Sequence, residues 1–194
     1  CLVGSEMCIR DRGDYSQGAF FLSADALGNE VTILDLKEDS LQGDREVVDI
    51  LERMGVVIEK TNLGMNGQVK HLNSTLIDAS QCPDIIPVLS AVAALSNGKT
   101  EIINAGRLRI KESDRHEAVT QELNKLGAKV TEKSEGLIIE GVGELEGGVE
   151  VWSHKDHRIA MTLAIASTRC KAPIIIKDYE CVSKSYLSLI HISE

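Results

Sequence analysis

Two short stretches of this sequence gather the residue types that bind and transform small anions. In the first, Arg107, Arg109, Lys111, Glu112, Ser113, Asp114 and Arg115 lie close together; in the second, His154, Lys155, Asp156, His157 and Arg158 are consecutive. A guanidinium clamps a carboxylate or phosphate because its planar fork binds two oxygens at once. Each stretch runs into an apolar, helically spaced segment, so its cations stand at a helix start, where unpaired N–H groups and the helix dipole also favour anions. Helical spacing makes Lys111 and Arg115 i, i+4 neighbours and Glu112 and Arg115 i, i+3 neighbours, able to share one face. Asp114 with Glu117 reads as a variant capping box. The plainer alternative for either cluster is a solvated charged turn with ordinary ion pairs. Asp84 poses a different choice. Between Pro83 and Ile85, at the start of a nearly all-apolar segment, it is either a helix cap or a carboxylate at an apolar rim, suited to act as a base. His157 is a hydrogen-bond donor or a surface residue, and Lys184, between two serines, reads by itself as a surface lysine. His71, His116 and His154 carry no comparable signal.

The elements that must position these groups recur along the chain. Asp14, Asp84 and Asp156 each precede an apolar helical stretch, and they are spaced by 70 and 72 residues. Such a period sets the architecture before any single residue is weighed. A strand is predicted after each helix, at Val31 to Leu36, Thr100 to Asn104 and Ile174 to Lys177. A second helix is predicted from Gly43-Asp44-Arg45-Glu46 and from Glu112-Ser113-Asp114-Arg115, with Arg45 and Arg115 again 70 apart. Gly55 and Gly127 stand just past these helices, where glycine terminates a helix at little cost. Strands follow at Val56 to Lys60, Val69 to Leu72 and Thr75 to Ile77, then at Ala128 to Glu132, Leu137 to Glu140 and Val149 to Val151. The units are thus α-β-α-β-β-β and cover 13–81, 82–153 and 154–186, the third breaking off early. Equivalent helix starts in a pseudo-symmetric domain converge on one end, so two basic clusters there predict a small anionic ligand.

Composition narrows the classes. A hydrophobic fraction of 43% suffices for a core. No apolar run approaches the roughly 18 residues of a membrane span, and no secretory pattern is evident. A net charge of −9 and 3% aromatics argue against nucleic acid. The five cysteines, Cys1, Cys8, Cys82, Cys170 and Cys181, form no close pair with metal-ligand spacing, and an odd count argues against a disulfide framework. Free thiols in a reducing cytoplasm are the expectation. Residues 1–12 fall outside the period, and 187–194 begin where the third unit should enter its second helix. Both ends are expected to be translated sequencing adapter and are set aside.

The set Gly13-Asp14-Tyr15-Ser16, Ala19-Phe20-Phe21-Leu22, Pro83-Asp84, Arg109-Ile110-Lys111-Glu112-Ser113-Asp114-Arg115, Asp156-His157-Arg158-Ile159-Ala160-Met161 and Lys184-Ser185-Tyr186, in this order, resembles the 5-enolpyruvylshikimate-3-phosphate synthase family. The resemblance covers about residues 13 to 186, most of that family's C-terminal domain. It implies an inside-out α/β barrel domain of the enolpyruvyl transferase type, three pseudo-repeated units with helices inside and sheets outside, the third truncated here. It also implies transfer of the enolpyruvyl group of phosphoenolpyruvate to the 5-hydroxyl of shikimate 3-phosphate, by addition and elimination through a tetrahedral intermediate, with no metal and no organic cofactor. Glyphosate would be the anionic competitor.

By this resemblance Asp84 contacts the shikimate hydroxyls and is the candidate base. Lys111 lies near the phosphates and the 5-hydroxyl, and Glu112 is the acid–base group at the methylene carbon. Arg115 and Arg158 clamp the phosphoenolpyruvate carboxylate, and His157 and Lys184 are supporting donors. The catalytic candidates are therefore Asp84, Glu112 and Lys184. Arg107, a further substrate-binding candidate, stands where many relatives carry asparagine, and Leu187 stands where proline is usual. The resemblance further implies an N-terminal domain that supplies the rest of the cleft, a cytoplasmic enzyme that is monomeric when complete, and a fragment inactive alone. The rival readings are the enolpyruvyl transferase acting on UDP-N-acetylglucosamine, which lacks the two charged strings, and a non-catalytic anion-binding repeat scaffold.

Overall fold

The computed structural model describes residues 13–61, 64–69 and 71–184. Its main helices are α1 (Tyr15–Ala26), α2 (Glu46–Arg53), α3 (Ile86–Ala94), α4 (Arg115–Lys125) and α5 (His157–Ser167). Three of them begin on an aspartate cap. Asp14 accepts the Ser16 N–H, Asp114 those of His116 and Glu117, and Asp156 that of Arg158. α3 starts differently: its first turn contains Pro87, whose missing N–H is harmless there, and no side chain caps it.

All nine residues of α3 are buried. A helix hydrophobic all round must be wrapped by other elements, and α1, α3 and α5 are in mutual contact. They run in the same direction. Arg158, in the first turn of α5, reaches the carbonyls of Ser16 in α1 and of Asp84 just before α3. At the other end, Asn29 beyond α1 bonds Thr168 at the cap of α5.

The strands are β1 (Val56–Thr61), β2 (Gly64–Val69), β3 (Leu76–Asp78), β4 (Lys99–Ile103), β5 (Lys129–Lys133), β6 (Gly136–Glu140), β7 (Leu145–Gly147), β8 (Glu150–Trp152), β9 (Cys170–Ala172) and β10 (Ile175–Lys177). β3-β4-β6-β5 form one sheet, and β1-β2, β7-β9 and β8-β10 pair separately. β4 alternates exposed and buried side chains, the mark of a strand with one face on the core. The parallel match of Ile77 with Ile102 is repeated by Val151 with Ile176, each partner 74 positions further on (77 to 151, 102 to 176).

Several sequence expectations change. The stretch Val31 to Leu36 forms only an isolated bridge, Ile33 with Met65, instead of a strand. Asp35 there has φ 64°, which interrupts extended backbone. Val69 ends β2 and Leu72 lies outside any strand, whereas β7 and β9 are short strands that the sequence pattern did not mark. The second helices start later than predicted. Gly43–Arg45 is a 3-10 turn before α2, and Lys111, Glu112 and Ser113 lie in a bend before α4. Residues 1–12 and 185–194 lie outside the described residues.

Candidate functional site

The aspartate equivalents part company at the site. Asp14 and Asp156 cap their helices, but Asp84 does not. It sits in the turn before α3, and its carboxylate meets Lys111 Nζ at 3.0 Å, Arg115 Nη1 at 2.8 Å and Arg158 Nη2 at 3.7 Å. Burial by itself would raise its pKa. The Arg158 charge and the hydrogen bonds from Lys111 and Arg115 outweigh that and hold the carboxyl below the ordinary range.

Arg115 is the hub. Its side chain is 0% exposed. Nε donates to Asp156 Oδ2 at 2.7 Å and Nη2 to Glu112 Oε2 at 2.5 Å, while Nη1 takes Asp84. A buried guanidinium is tolerated only when its donors are met this way. Ser113 Oγ adds a 3.1 Å bond to Asp156 Oδ2. Burial would raise the Asp156 pKa, but the bond and charge of Arg115, the Arg158 N–H and Ser113 hold it low. The helical register expected for Lys111 and Glu112 is not what joins them to Arg115. The bend folds both back so that Lys111 and Arg115 share Asp84, and Glu112 closes on Arg115 directly.

Arg158 is nearly buried, with Nη1 on the carbonyls of Ser16 (3.3 Å) and Asp84 (3.2 Å). His157 is half-buried, its Nδ1 3.9 Å from Asp156 Oδ1. Burial, then the Arg158 charge, lowers its pKa and so favours the neutral imidazole. Arg107 is exposed, and its Nη1 donates to the Ser80 carbonyl at 3.5 Å. Arg109 points away, pinned by Glu132 at 2.7 Å and Asp114 at 3.3 Å, and is a structural rivet. Lys184 ends the 3-10 helix Tyr179–Lys184; its side chain, like Ser185 and Tyr186, lies outside the described residues.

Beside this cluster opens a cavity of about 270 Å³ bounded by Ser16, Asp44, Gln81, Asp84, Arg107 and Lys111 among others. Larger cavities lie elsewhere, one of about 510 Å³ near Asp25 and Asn66 and one of about 340 Å³ at the C-terminal ends of α1 and α3. Neither combines a carboxylate with converging cations, so chemistry and not volume selects the site. Among the described residues no group of His, Cys, Asp or Glu is placed to hold a metal, and no helix is long and apolar enough to cross a membrane. The arrangement can bind a small anion on Lys111, Arg107 and Arg158 and offer Asp84 and Glu112 for proton transfer.

Asp44, Ser16 and Asp156 belong to the site although the sequence did not single them out as site residues. For Asp44 a signal existed: Asp44-Arg45 stands 70 residues before Asp114-Arg115.

Comparison with known proteins bears on the same residues. A family model described as EPSP synthase (3-phosphoshikimate 1-carboxyvinyltransferase) matches residues 6–191. A 3-phosphoshikimate 1-carboxyvinyltransferase of Clostridioides difficile is 72% identical over 174 residues, 90% of this chain. One of Clostridium beijerinckii is 70% identical over 178 residues, 91% of this chain. The chain spans about 40% of the length of these curated relatives. Among solved structures, an EPSP synthase from Acinetobacter baumannii matches with TM-score 0.82 and 29% identity, over 94% of this chain and 45% of the other. The enolpyruvyl transferase NikO from Streptomyces tendae, with TM-score 0.68 and 18% identity over 93% of this chain and 42% of its own, shares the fold.

Proposed function

The chain belongs to the EPSP synthase family, and from that premise we propose that it is part of an enzyme that transfers the enolpyruvyl group of phosphoenolpyruvate to the 5-hydroxyl of shikimate 3-phosphate. The observation that carries this reading is the Asp84 carboxylate held among Lys111, Arg115 and Arg158, with Glu112 on the same guanidinium.

In the addition step the 5-hydroxyl oxygen bonds to C2 of phosphoenolpyruvate. Its proton goes to Asp84, and the C3 methylene takes a proton from Glu112. In the elimination step the C2–O bond to phosphate breaks, the new methyl returns a proton to Glu112, and the leaving phosphate takes the hydroxyl proton from Asp84, so inorganic phosphate departs with both carboxyl groups restored. Asp84 is a weak base while three cations hold it. An incoming phosphate or carboxylate that occupies Lys111 and Arg158 withdraws those charges and raises its proton affinity as the hydroxyl arrives. Among the described residues, with Nη2 also donating to Asp156 Oδ1 at 3.3 Å, Arg115 offers a ligand carboxylate no donor free of Asp84, Glu112 or Asp156 except one Nη1 hydrogen, so its part of the clamp requires Asp84 or Glu112 to yield. His157 would contribute a neutral donor, with Arg107 and Lys184 as further donors. The substrates are held by fixed cations, and the scheme uses no metal or organic cofactor.

The same reading gives the domain plan: an inside-out α/β domain with units 13–81, 82–153 and 154–186, the third incomplete. The recurrence of parallel pairing 74 residues apart supports it. The remaining length of the relatives would supply the opposing domain, and the complete enzyme would be a cytoplasmic monomer.

A chimera tests this directly: residues 13–184 replace the matching stretch of the Clostridioides difficile protein. It should release phosphate from phosphoenolpyruvate only when shikimate 3-phosphate is present. Asp84→Ala, Glu112→Ala and Lys184→Ala should each lower turnover by about 10²- to 10⁴-fold with the fold intact. Undiminished turnover in Glu112→Ala would remove Glu112 from the chemistry. Failure of the folded, unmodified chimera to turn over would remove the reading itself.

A further inference from the structure

Asp44 is a nearly buried carboxylate that the scheme above leaves unused, yet it forms part of the wall of the site cavity. The turn that carries it is wedged between two of the converging helix starts. On one side, Gln42 Oε1 accepts the Tyr15 N–H at 2.8 Å and Gln42 Nε2 donates to Asp14 at 3.2 Å, so this side chain completes the N-terminus of α1. On the other side, Gly43 lies against the Gln81 backbone so closely that a Cβ there would come within 2.1 Å of the Gln81 carbonyl oxygen. Only glycine allows that approach. Between these two attachments, Asp44 Oδ2 takes a short hydrogen bond from Ser16 Oγ. The carbonyl of the same Ser16 is one of the two on which Arg158 Nη1 rests, the other being that of Asp84.

We propose that Asp44 is a positioning residue of this site: by holding the Ser16 hydroxyl it fixes the Ser16 carbonyl that seats Arg158 beside Asp84. The geometry forms a continuous chain, from the Asp44 carboxylate through Ser16 and the Arg158 guanidinium to Asp84. Burial raises the Asp44 pKa, and the Asp84 and Asp14 charges add to that, against the Ser16 bond and the Arg158 charge. A carboxylate kept where burial opposes its charge needs these contacts, and removing one should be felt at the others.

The test uses the chimera with Asp44→Ala, Asp44→Asn, Ser16→Ala and Ser16→Thr. Two readouts are taken. The first is the Nε–H resonance of Arg158, assigned by its loss in Arg158→Lys, which needs no catalysis. Asp44→Ala and Ser16→Ala should each move it toward the position of a solvent-exposed arginine, and Ser16→Thr, which keeps the hydroxyl, should not. The second readout rests on the transferase reading: KM for phosphoenolpyruvate should rise roughly tenfold or more in each alanine variant, as expected for loss of a charge-assisted bond, with a smaller change in kcat. The double variant should be no worse than the worse single, because the two residues act through one bond. Asp44→Asn keeps the shape and an acceptor oxygen, so it should fall between the parent and Asp44→Ala. An unmoved Arg158 resonance, or an unchanged KM in variants that remain folded, overturns the proposal. If the unmodified chimera proves inactive, the transferase reading fails, and the resonance by itself decides the role of Asp44.

Discussion

At the scale of single residues, Arg115 determines how the site is built. It has no exposure and three carboxylate partners, one of them the equally buried Asp156, so its removal leaves the Asp156 charge unpaired in the interior and Asp84 and Glu112 without their shared cation nearer the surface. Breaking such a network by deleting one member typically costs about 3–5 kcal/mol. We therefore expect Arg115→Ala to destabilise the chimera as well as weaken phosphoenolpyruvate binding, and calorimetry with and without ligand separates the two effects. A variant with parental Tm and a raised KM would show that the network is dispensable to the fold. Arg115→Lys should recover little, since one ammonium cannot reproduce a three-directional fork. The contrast with Arg107 is useful: exposed and held by one long hydrogen bond to the Ser80 carbonyl among the described residues, it can be changed to Ala with a stability shift within about 0.5 kcal/mol.

At the scale of elements, α3 and the Gly43–Arg45 turn carry different tasks. α3 supplies the interior, and Leu89, fully buried in it, should cost about 2–5 kcal/mol when cut to alanine. The turn supplies spacing. Gly43→Ala places a methyl against a backbone carbonyl, so either the turn or the 81–84 loop must move. Overpacking of this kind costs about 1–3 kcal/mol. Because that loop carries Asp84, the same change should also raise KM, whereas Leu89→Ala should lower Tm with KM unchanged in the folded fraction. Equal KM values for the two variants would deny the turn its spacing role.

At the scale of the whole molecule, the carboxylates set the response to acid. Asp84, Asp156 and Glu122, a buried carboxylate of α4 that accepts from Lys125 and the Trp152 N–H and meets His154, all titrate below their ordinary range when folded. Their contribution is complete above the unfolded values, near pH 4, and is lost as the pH falls through the lower folded values. Asp44 has the opposite sign: its contribution is present below its ordinary 3.8 and is lost as the pH rises through its raised folded value. Urea unfolding of the chimera should thus show stability falling below pH 4. Asp44→Asn should gain on the parent as the pH rises above about 4, and a difference that stays constant over that rise would contradict the assignment. The chain spans about 40% of the length of its curated relatives; on the proposed reading the rest of the cleft lies in the remainder, so the 194-residue chain by itself should show no transfer. Its exposed Ile175 (65%) and Tyr179 (61%) should promote concentration-dependent association, visible by sedimentation.

The sequence by itself determined the helices and named most of the residues that the structure gathers around Asp84. These depend on local terms: apolar residues at 3.6-residue spacing, aspartate caps before α1, α4 and α5, and charged strings that survive as strings. It placed Asp84, Lys111, Glu112, Arg115, His157 and Arg158 at converging ends, because parallel interior helices must bring their starts together. It could not choose between cap and base for Asp84, since both readings demand the same residue at the same place. The tertiary structure removes the cap reading, by setting Lys111, Arg115 and Arg158 around a carboxylate that caps nothing. It also replaced the predicted Val31–Leu36 strand with a single bridge and started α4 at Arg115, because backbone pairing and φ at Asp35 depend on distant strands and not on local apolarity. Asp44 escaped notice for the same reason. Its partner Ser16 lies 28 residues away, and nothing local distinguishes a carboxylate that begins a helix from one that reaches across to fix another.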